Sequence, residues 1–236
     1  MPAKPLTPLK NRLLSNLDSP EYDQFVEQCT LEQLHFGQCL HVRDDAMMKV
    51  YFPLTCFISL LSQVDDKAPM DVALIGSEGM LGTSLLTGDK LSPLTAKVQG
   101  AGLSLCMPAT LFVQQLRQFP KIRQLVGLYL SVQLKQLAQT AACLCYHDVN
   151  ARLARWLLMS HDRAHSDYLQ LTHQFLADML GVRRSAITIA AGQLQQKNMI
   201  HYRRGRIHIL SHQGLVGRSC GCYQDDIDSY HRCLPE

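Results

Sequence analysis

Residues 171–200 read LTHQFLADMLGVRRSAITIAAGQLQQKNMI, and three positions in this stretch restrict the backbone more than any others in the chain. Ala177, Gly181 and Ile187 follow one another at separations of four and six. That spacing fits two helices crossing at a tight angle around a short turn. Ala177 is small enough for the second helix to approach the first, Gly181 can take the positive φ of the turn, and Ile187 returns an apolar anchor to the core. Thr172 is a good N-cap, since its hydroxyl can accept from the unpaired amides of the first helical turn. A plain hairpin of two helices also contains small residues and glycine, so the spacing needs a second criterion.

Charge supplies it. Residues 1–146 carry 12 Lys+Arg and 12 Asp+Glu, whereas residues 169–218 carry Arg183, Arg184, Lys197, Arg203, Arg204, Arg206 and Arg218 against Asp178 alone, a net of +6. A solvated helix face mixes signs. Phosphate binding instead needs one-signed positive charge that displaces condensed counterions. After the second helix, residues 199–202 and 206–210 read as short strands around Arg203-Arg204-Gly205, with Gly205 in the turn. A helix-turn-helix followed by a basic-tipped wing predicts double-stranded DNA as a partner.

The remainder of the chain frames this unit. With 236 residues, 47% hydrophobic and 18% charged, it suits two modest domains, each with its own core. No apolar run reaches the roughly 20 residues needed to cross a bilayer, and the first residues lack a long apolar stretch of export type, so a cytoplasmic protein without membrane contact is expected. Nine cysteines, an odd number at irregular spacing, favour reduced thiols, and nine methionines read as core filler. In the N-terminal half, strands are expected at 33–41, 50–61, 71–75, 94–98 and 103–107, after short helices at about 11–17 and 22–28. Turn residues between them include the glycine cluster of residues 76–82, and the pattern indicates an antiparallel sandwich or barrel.

From Thr110 the chain turns helical, and beyond Pro120 a single helix is expected to about Tyr146. Val126, Leu130, Gln133, Leu137, Thr140 and Leu144 have the spacing of a coiled-coil seam, with Ile122, Leu125, Tyr129, Val132 and Gln136 as a second stripe beside it. Two apolar faces predict two partners: the β-domain and the same helix of a second subunit. Complete burial within one chain is the alternative. A homodimer through residues 120–146 would set two reading helices about 34 Å apart.

In this order of elements, and in residues 50–53, 73–82, 150–158 and 171–210, the chain resembles the Crp/Fnr family of bacterial transcription regulators. The resemblance covers nearly the whole chain. It implies an α+β fold with a cyclic-nucleotide-binding-like double-stranded β-helix, or jelly-roll, over residues 1–115, a dimerisation helix over 116–147, and a winged helix-turn-helix with a C-terminal tail over 148–236. It also implies a regulator of a near-palindromic operator, with RNA polymerase as a further contact. Arg184 matches an arginine that reads guanine, its fork suiting the O6 and N7 acceptors. Arg183, Ser185 and Thr188 at the same helix start are candidates for base or phosphate contact. Thr172 and His173 are expected to meet phosphate, as are Arg203, Arg204 and Arg206 of the wing. Ser185 replaces a glutamate of the catabolite-activator subgroup, and Ile189 a second arginine, so a different operator is expected.

The effector pocket expected from the resemblance includes Gly79, Met80, Leu81, Gly82 and Ser92. Met80 stands where cyclic-AMP binders have glutamate, and residues 90–94 offer no arginine. Glu78, one register step away, and Lys90 or Lys97 are the only substitutes. Cyclic AMP is therefore not the expected ligand, because a buried phosphodiester without a cation is costly. No cofactor or metal site is assigned. Cys143 and Cys145 point to different sides of a helix, whereas Cys220 and Cys222, in an expected loop, could form a thiolate site with Cys233 or His231. A thiol- or metal-responsive regulator is the alternative reading, together with a ligand-binding protein whose helix-turn-helix holds another protein. His161 and His165, four apart, read as surface residues of a helix. With no Gly-x-Ser-x-Gly, phosphate loop or His-Glu-x-x-His, no enzyme is expected.

Overall fold

The computed structural model describes residues 10–164 and 166–234. Asn11 caps helix α1 (Arg12–Ser15), its side chain accepting from the Leu14 amide, and Pro20 opens α2 (Ser19–Glu27). Strands β1 (Thr30–Leu34), β2 (Cys39–His41), β3 (Lys49–Pro53), β4 (Phe57–Ser62), β5 (Met70–Ile75), β6 (Thr95–Gly100) and β7 (Gly102–Pro108) follow. They form two antiparallel sheets, ordered β1-β7-β3 and β2-β6-β4-β5. Leu34, Ile58, Ile75, Val98 and Cys106 fill a core to which both sheets contribute.

Two of the expected strands are each two strands in different sheets. Residues 33–41 break at Gly37, where φ is +79°, and residues 50–61 break after Pro53. Pro53 has no amide to donate, and it ends β3, an edge strand, so the chain can leave one sheet there and enter the other as β4.

Helix α3 (Ala109–Gln118) stops at Phe119, and Pro120 starts α4 (Pro120–Tyr146), where its missing amide hydrogen costs nothing. The stripe Ile122, Leu125, Tyr129, Val132 and Gln136 is buried as expected. Val126 and Gln133 are buried in the same chain rather than lying in a seam for a second subunit. Gln133 is satisfied there, its Oε1 accepting from Thr83 Oγ1 at 2.6 Å. The outward apolar line of α4 keeps Leu130, Leu137 and Leu144 of the expected seam, with Leu134, 68% exposed, and Ala141 in place of Gln133 and Thr140.

His147 and Asp148 separate α4 from α5 (Val149–Ala164). The winged helix then comprises β8 (Tyr168–Gln170), α6 (His173–Met179), α7 (Arg184–Gln196), β9 (Ile200–Arg203), β10 (Arg206–Ile209) and α8 (His212–Arg218). Strand β8 joins the wing as an edge strand in the order β8-β10-β9, which the sequence pattern did not reveal. The segment expected as a tail is helix α9 (Cys222–Cys233), and it packs back along α4, with the rings of Tyr129 and Tyr230 centred 6.4 Å apart. Two buried polar contacts join the halves, Arg163 Nε to Glu78 Oε1 at 2.6 Å and Trp156 Nε1 to Asp71 Oδ2 at 3.0 Å, while Arg155 to Asp226 at 2.6 Å ties α9 to α5 within the C-terminal half. Among the described residues, no helix is long and apolar enough to cross a membrane.

Candidate nucleic-acid interface

Helix α6 begins as expected at Thr172, whose Oγ1 accepts from the Phe175 amide at 3.1 Å. Its inward face is Leu176, Ala177 and Met179. Gly181 turns the chain with φ +61°, an angle that favours glycine, and a Cβ there would come within 2.8 Å of Met70 Sδ, which would have to shift. Helix α7 then buries Ile187, Ala190, Ala191 and Leu194. That burial leaves Arg184, Ser185, Thr188, Ile189, Gly192 and Gln193 outward, a polar face interrupted by Ile189 at 63% exposure.

The wing turns at Arg204 and Gly205, with φ of +48° and +75°, which is the pair of positive angles a two-residue hairpin turn needs. Arg203 and Arg206 face each other across the ladder, and both are exposed with Arg204. The wing and the helices are tied in two places. Gly205 O accepts from the Leu171 amide at 2.8 Å, and Gln195 Oε1 of α7 accepts from the Tyr202 amide at 2.7 Å.

His173 sits at the junction of the three parts. Its Nδ1 lies 3.0 Å from Thr188 Oγ1 on α7, and its ring stacks on Tyr202 of the wing with centroids 4.1 Å apart. Burial, followed by the nearby Arg184 charge, lowers its pKa below the ordinary histidine value. A neutral, half-buried imidazole orients Thr188 and the wing better than it attracts phosphate. Thr188 in turn donates to Arg184 O at 3.1 Å. Among the described residues, no carboxylate lies within ion-pair distance of Arg183, Arg184, Arg203, Arg204 or Arg206. Five guanidinium groups on one surface without counter-charges repel one another unless an anion approaches. Sequence reasoning did not identify the His173–Tyr202 stack or the Gln195 tie, both of which depend on the packing of wing against helix.

The residues proposed for an effector divide in two. Leu81, Gly82 and Ser92 line a cavity of about 150 Å³ closed by Leu130, Gln133, Leu134 and Leu137 of α4. Gly79 and Met80 lie outside that lining: Gly79 backs onto the Tyr129 ring, where any Cβ would collide, and Met80 is fully buried in the core under α4. Neither lysine nor arginine lines the cavity, and Lys90 and Lys97 are exposed elsewhere. Glu78 is already committed to Arg163 and to the Gly76 amide at 3.0 Å. The one titratable side chain of the lining, His41, has its pKa lowered by burial, offset in part by its bond to Lys49 O.

A helix-turn-helix with an unopposed basic face, a wing and a β-roll on a long helix together define a DNA-binding transcription regulator. Residues 151–218 match the model of the Crp-like helix-turn-helix domain. The chain is similar to the global nitrogen regulator of Synechocystis sp., 26% identical over 216 residues, with 87% of this chain and 92% of that protein covered. The global nitrogen regulator of Nostoc sp. is 27% identical over 175 residues, covering 70% and 78% respectively. Two solved structures share the fold. The c-di-GMP-responsive global regulator CLP of Xanthomonas campestris has TM-score 0.66 at 18% identity, covering 82% of this chain and all of that one. FixK2 of Bradyrhizobium japonicum has TM-score 0.67 at 15% identity, covering 81% and 98%. Residues 151–218 thus carry a Crp-like helix-turn-helix domain, and over most of its length the chain is similar to proteins named as global regulators.

Proposed function

We propose that the chain acts as a homodimer at a near-palindromic operator, with α7 in the major groove and the wing on the flanking backbone. The observation that carries this reading is the face of Arg184, Ser185 and Thr188, exposed like Arg203, Arg204 and Arg206 of the wing, with no carboxylate of the described residues in ion-pair distance of these arginines. Arg184 reads guanine through its two-pronged donor, while Ser185 and Thr188 reach neighbouring base edges or phosphates. Arg183 and the wing arginines neutralise phosphates, as does the helix start at Thr172. His173 holds Thr188 and Tyr202 in place.

Two copies join through the outward line of α4, in which Leu134 is 68% exposed. Residues 1–115 form the sensing part, residues 116–147 the dimerisation helix and residues 148–236 the output part, from which RNA polymerase can be contacted. The sensing part does not take cyclic AMP. Its cavity has no cation for a cyclic phosphate and is lined mainly by apolar groups, which suits a small, largely uncharged effector.

Selection of bound fragments from random DNA, followed by gel shift, tests the reading. A palindromic site bound with an affinity that Arg184→Ala lowers by about 5- to 150-fold, corresponding to roughly 1–3 kcal/mol, is expected. Equal binding of wild type and Arg184→Ala to every fragment would refute the assignment. Calorimetry with cyclic AMP is expected to show no binding at micromolar concentration.

A further inference from the structure

The residues that end α4 and begin α9 converge on one point. Cys143 on the last turn of α4, His147 just after it, Cys220 in the turn before α9 and Cys222 at the start of α9 place their Sγ and Nδ1 atoms within 4.8 Å of one another. Cys143 Sγ lies 3.6 Å from Cys220 Sγ, and Cys222 Sγ lies 3.5 Å from His147 Nδ1. Zinc binds thiolate at about 2.3 Å and imidazole at about 2.0–2.1 Å, so the edges of a tetrahedral Cys3His site measure roughly 3.5–3.8 Å. Both observed separations fall in that range. Cys143 and His147 are one helical turn apart, and Cys220 and Cys222 are joined by Gly221, so each pair can turn its donors to the same side.

The surroundings fit a metal–thiolate charge. Gln139 Nε2 donates to Cys222 Sγ at 2.9 Å, the outer contact that fixes a ligand's orientation. Arg152 and Arg155 lie close enough to interact electrostatically with the thiols, and positive charge of this kind stabilises thiolates around a divalent ion. Cys222 opens a twelve-residue helix, whose N-terminal amides favour an anionic sulfur. Cys145, by contrast, is exposed on the opposite side of α4 and takes no part.

We infer that Cys143, His147, Cys220 and Cys222 form a closed tetrahedral site for a zinc-class divalent ion, which pins the α4–α5 hinge to the C-terminal helix. The donor set of sulfur and nitrogen selects zinc over calcium or magnesium, and four protein ligands leave no position for a substrate. Binding takes up the ion and releases the thiol protons. His147 is the residue at which α4 ends, with extended backbone (φ −112°, ψ 143°), so an ion held there couples the dimerisation helix to α9 and limits the freedom of the break before α5.

The test uses the full-length chain, stripped by chelator under reducing conditions and titrated with cobalt(II), then with zinc. Cobalt is expected to give one equivalent per chain, with the intense visible bands of tetrahedral thiolate coordination, and zinc is expected to displace it. Cys143→Ser and Cys222→Ser should each abolish those bands, whereas Cys145→Ser should leave them unchanged. Gln139→Ala should weaken binding about 10-fold or more. Should a serine variant fail to fold, His147→Ala supplies the same comparison at an exposed position. Zinc is also expected to slow amide exchange across residues 147–149. Absence of tetrahedral cobalt bands, bands that survive Cys222→Ser, or a Cys143–Cys220 disulfide in the protein as isolated from reducing cells would overturn the site. Unchanged exchange at 147–149 in a zinc-loaded chain would overturn the hinge role.

Discussion

Asp71 is a carboxylic acid placed where charge is costly. It lies on β5, 8% exposed, and its Oδ2 accepts from Trp156 Nε1 and from Ser59 Oγ at 3.1 Å. Burial pushes its pKa from 3.8 to about 7, while the bonds from Trp156 and Ser59, the Arg163 charge and the Ala73 amide pull it down. The folded state therefore holds a proton that the unfolded chain has already released at pH between about 4 and 7. Stability falls as pH rises through this window, because the state binding more protons loses ground, and the total effect is on the order of a few kcal/mol. Asp71→Asn keeps an acceptor oxygen for Trp156 but cannot ionise. Melting temperature against pH is expected to fall for the wild type from pH 5.5 to 8 and to stay flatter for Asp71→Asn, with the variant relatively more stable at pH 8. Parallel curves for the two proteins would show that Asp71 remains ionised throughout.

At the scale of elements, the helix-turn-helix was legible because its constraints are local. Thr172 as cap, Ala177 at the crossing, Gly181 at the turn and Ile187 as anchor each follow from a requirement of the nearby backbone, and each stands as read. Gly181→Ala is expected to cost about 1–2 kcal/mol in denaturant unfolding, since a Cβ meets both a left-handed φ and Met70. Combining it with Met70→Ala should recover only the contact part of that loss. The α4 seam was legible only in outline. Its period pointed to two faces, but which residues face outward depended on Thr83 reaching Gln133 across fifty positions, a bond that local pattern does not reveal. Helix α9 went unread because Asp225, Asp226 and Asp228 outweigh its aliphatic content, while its buried side is Tyr223, Asp226 and Tyr230, and Asp226 is buried only because Arg155 meets it. The same long-range contacts hid the convergence of Cys143 with Cys220. For the dimer, Leu134→Glu is the informative change: sedimentation is expected to shift from dimer to monomer, with the fold retained because Leu134 is exposed within the chain. A Leu134→Glu protein that still sediments as a dimer would move the interface away from α4.

For the whole molecule, the contacts that join its halves are also the ones a change of reading-helix orientation would have to alter. Arg183, Ser185 and Ile189 of the reading helix line a cleft whose other wall is Val64, Lys67, Ala68 and Met70 of the β4–β5 connection and β5. A helix entering a major groove about 12 Å wide must stand clear of its neighbours on that side. In this arrangement its first turn faces the protein's own β-roll, so on the proposed function tight operator binding is expected to favour a state in which the winged helix has rotated away. The Asp71–Trp156 bond spans this joint, and Trp156 is the chain's single tryptophan, 6% exposed. Only a ligand with different affinities for the two arrangements can shift their balance, and operator DNA meets that condition if the cleft must open. Titration with a selected operator is therefore expected to shift Trp156 emission to longer wavelength as its indole loses Asp71 and meets water. Asp71→Asn, which retains the bond without the charge, should show the same shift. DNA without the site, bound only through phosphate at low salt, should produce a smaller change. Tight, specific binding with Trp156 emission unmoved would mean that the cleft seen here already admits the duplex, and that effector control acts through the spacing of the two reading helices rather than through the joint at Trp156.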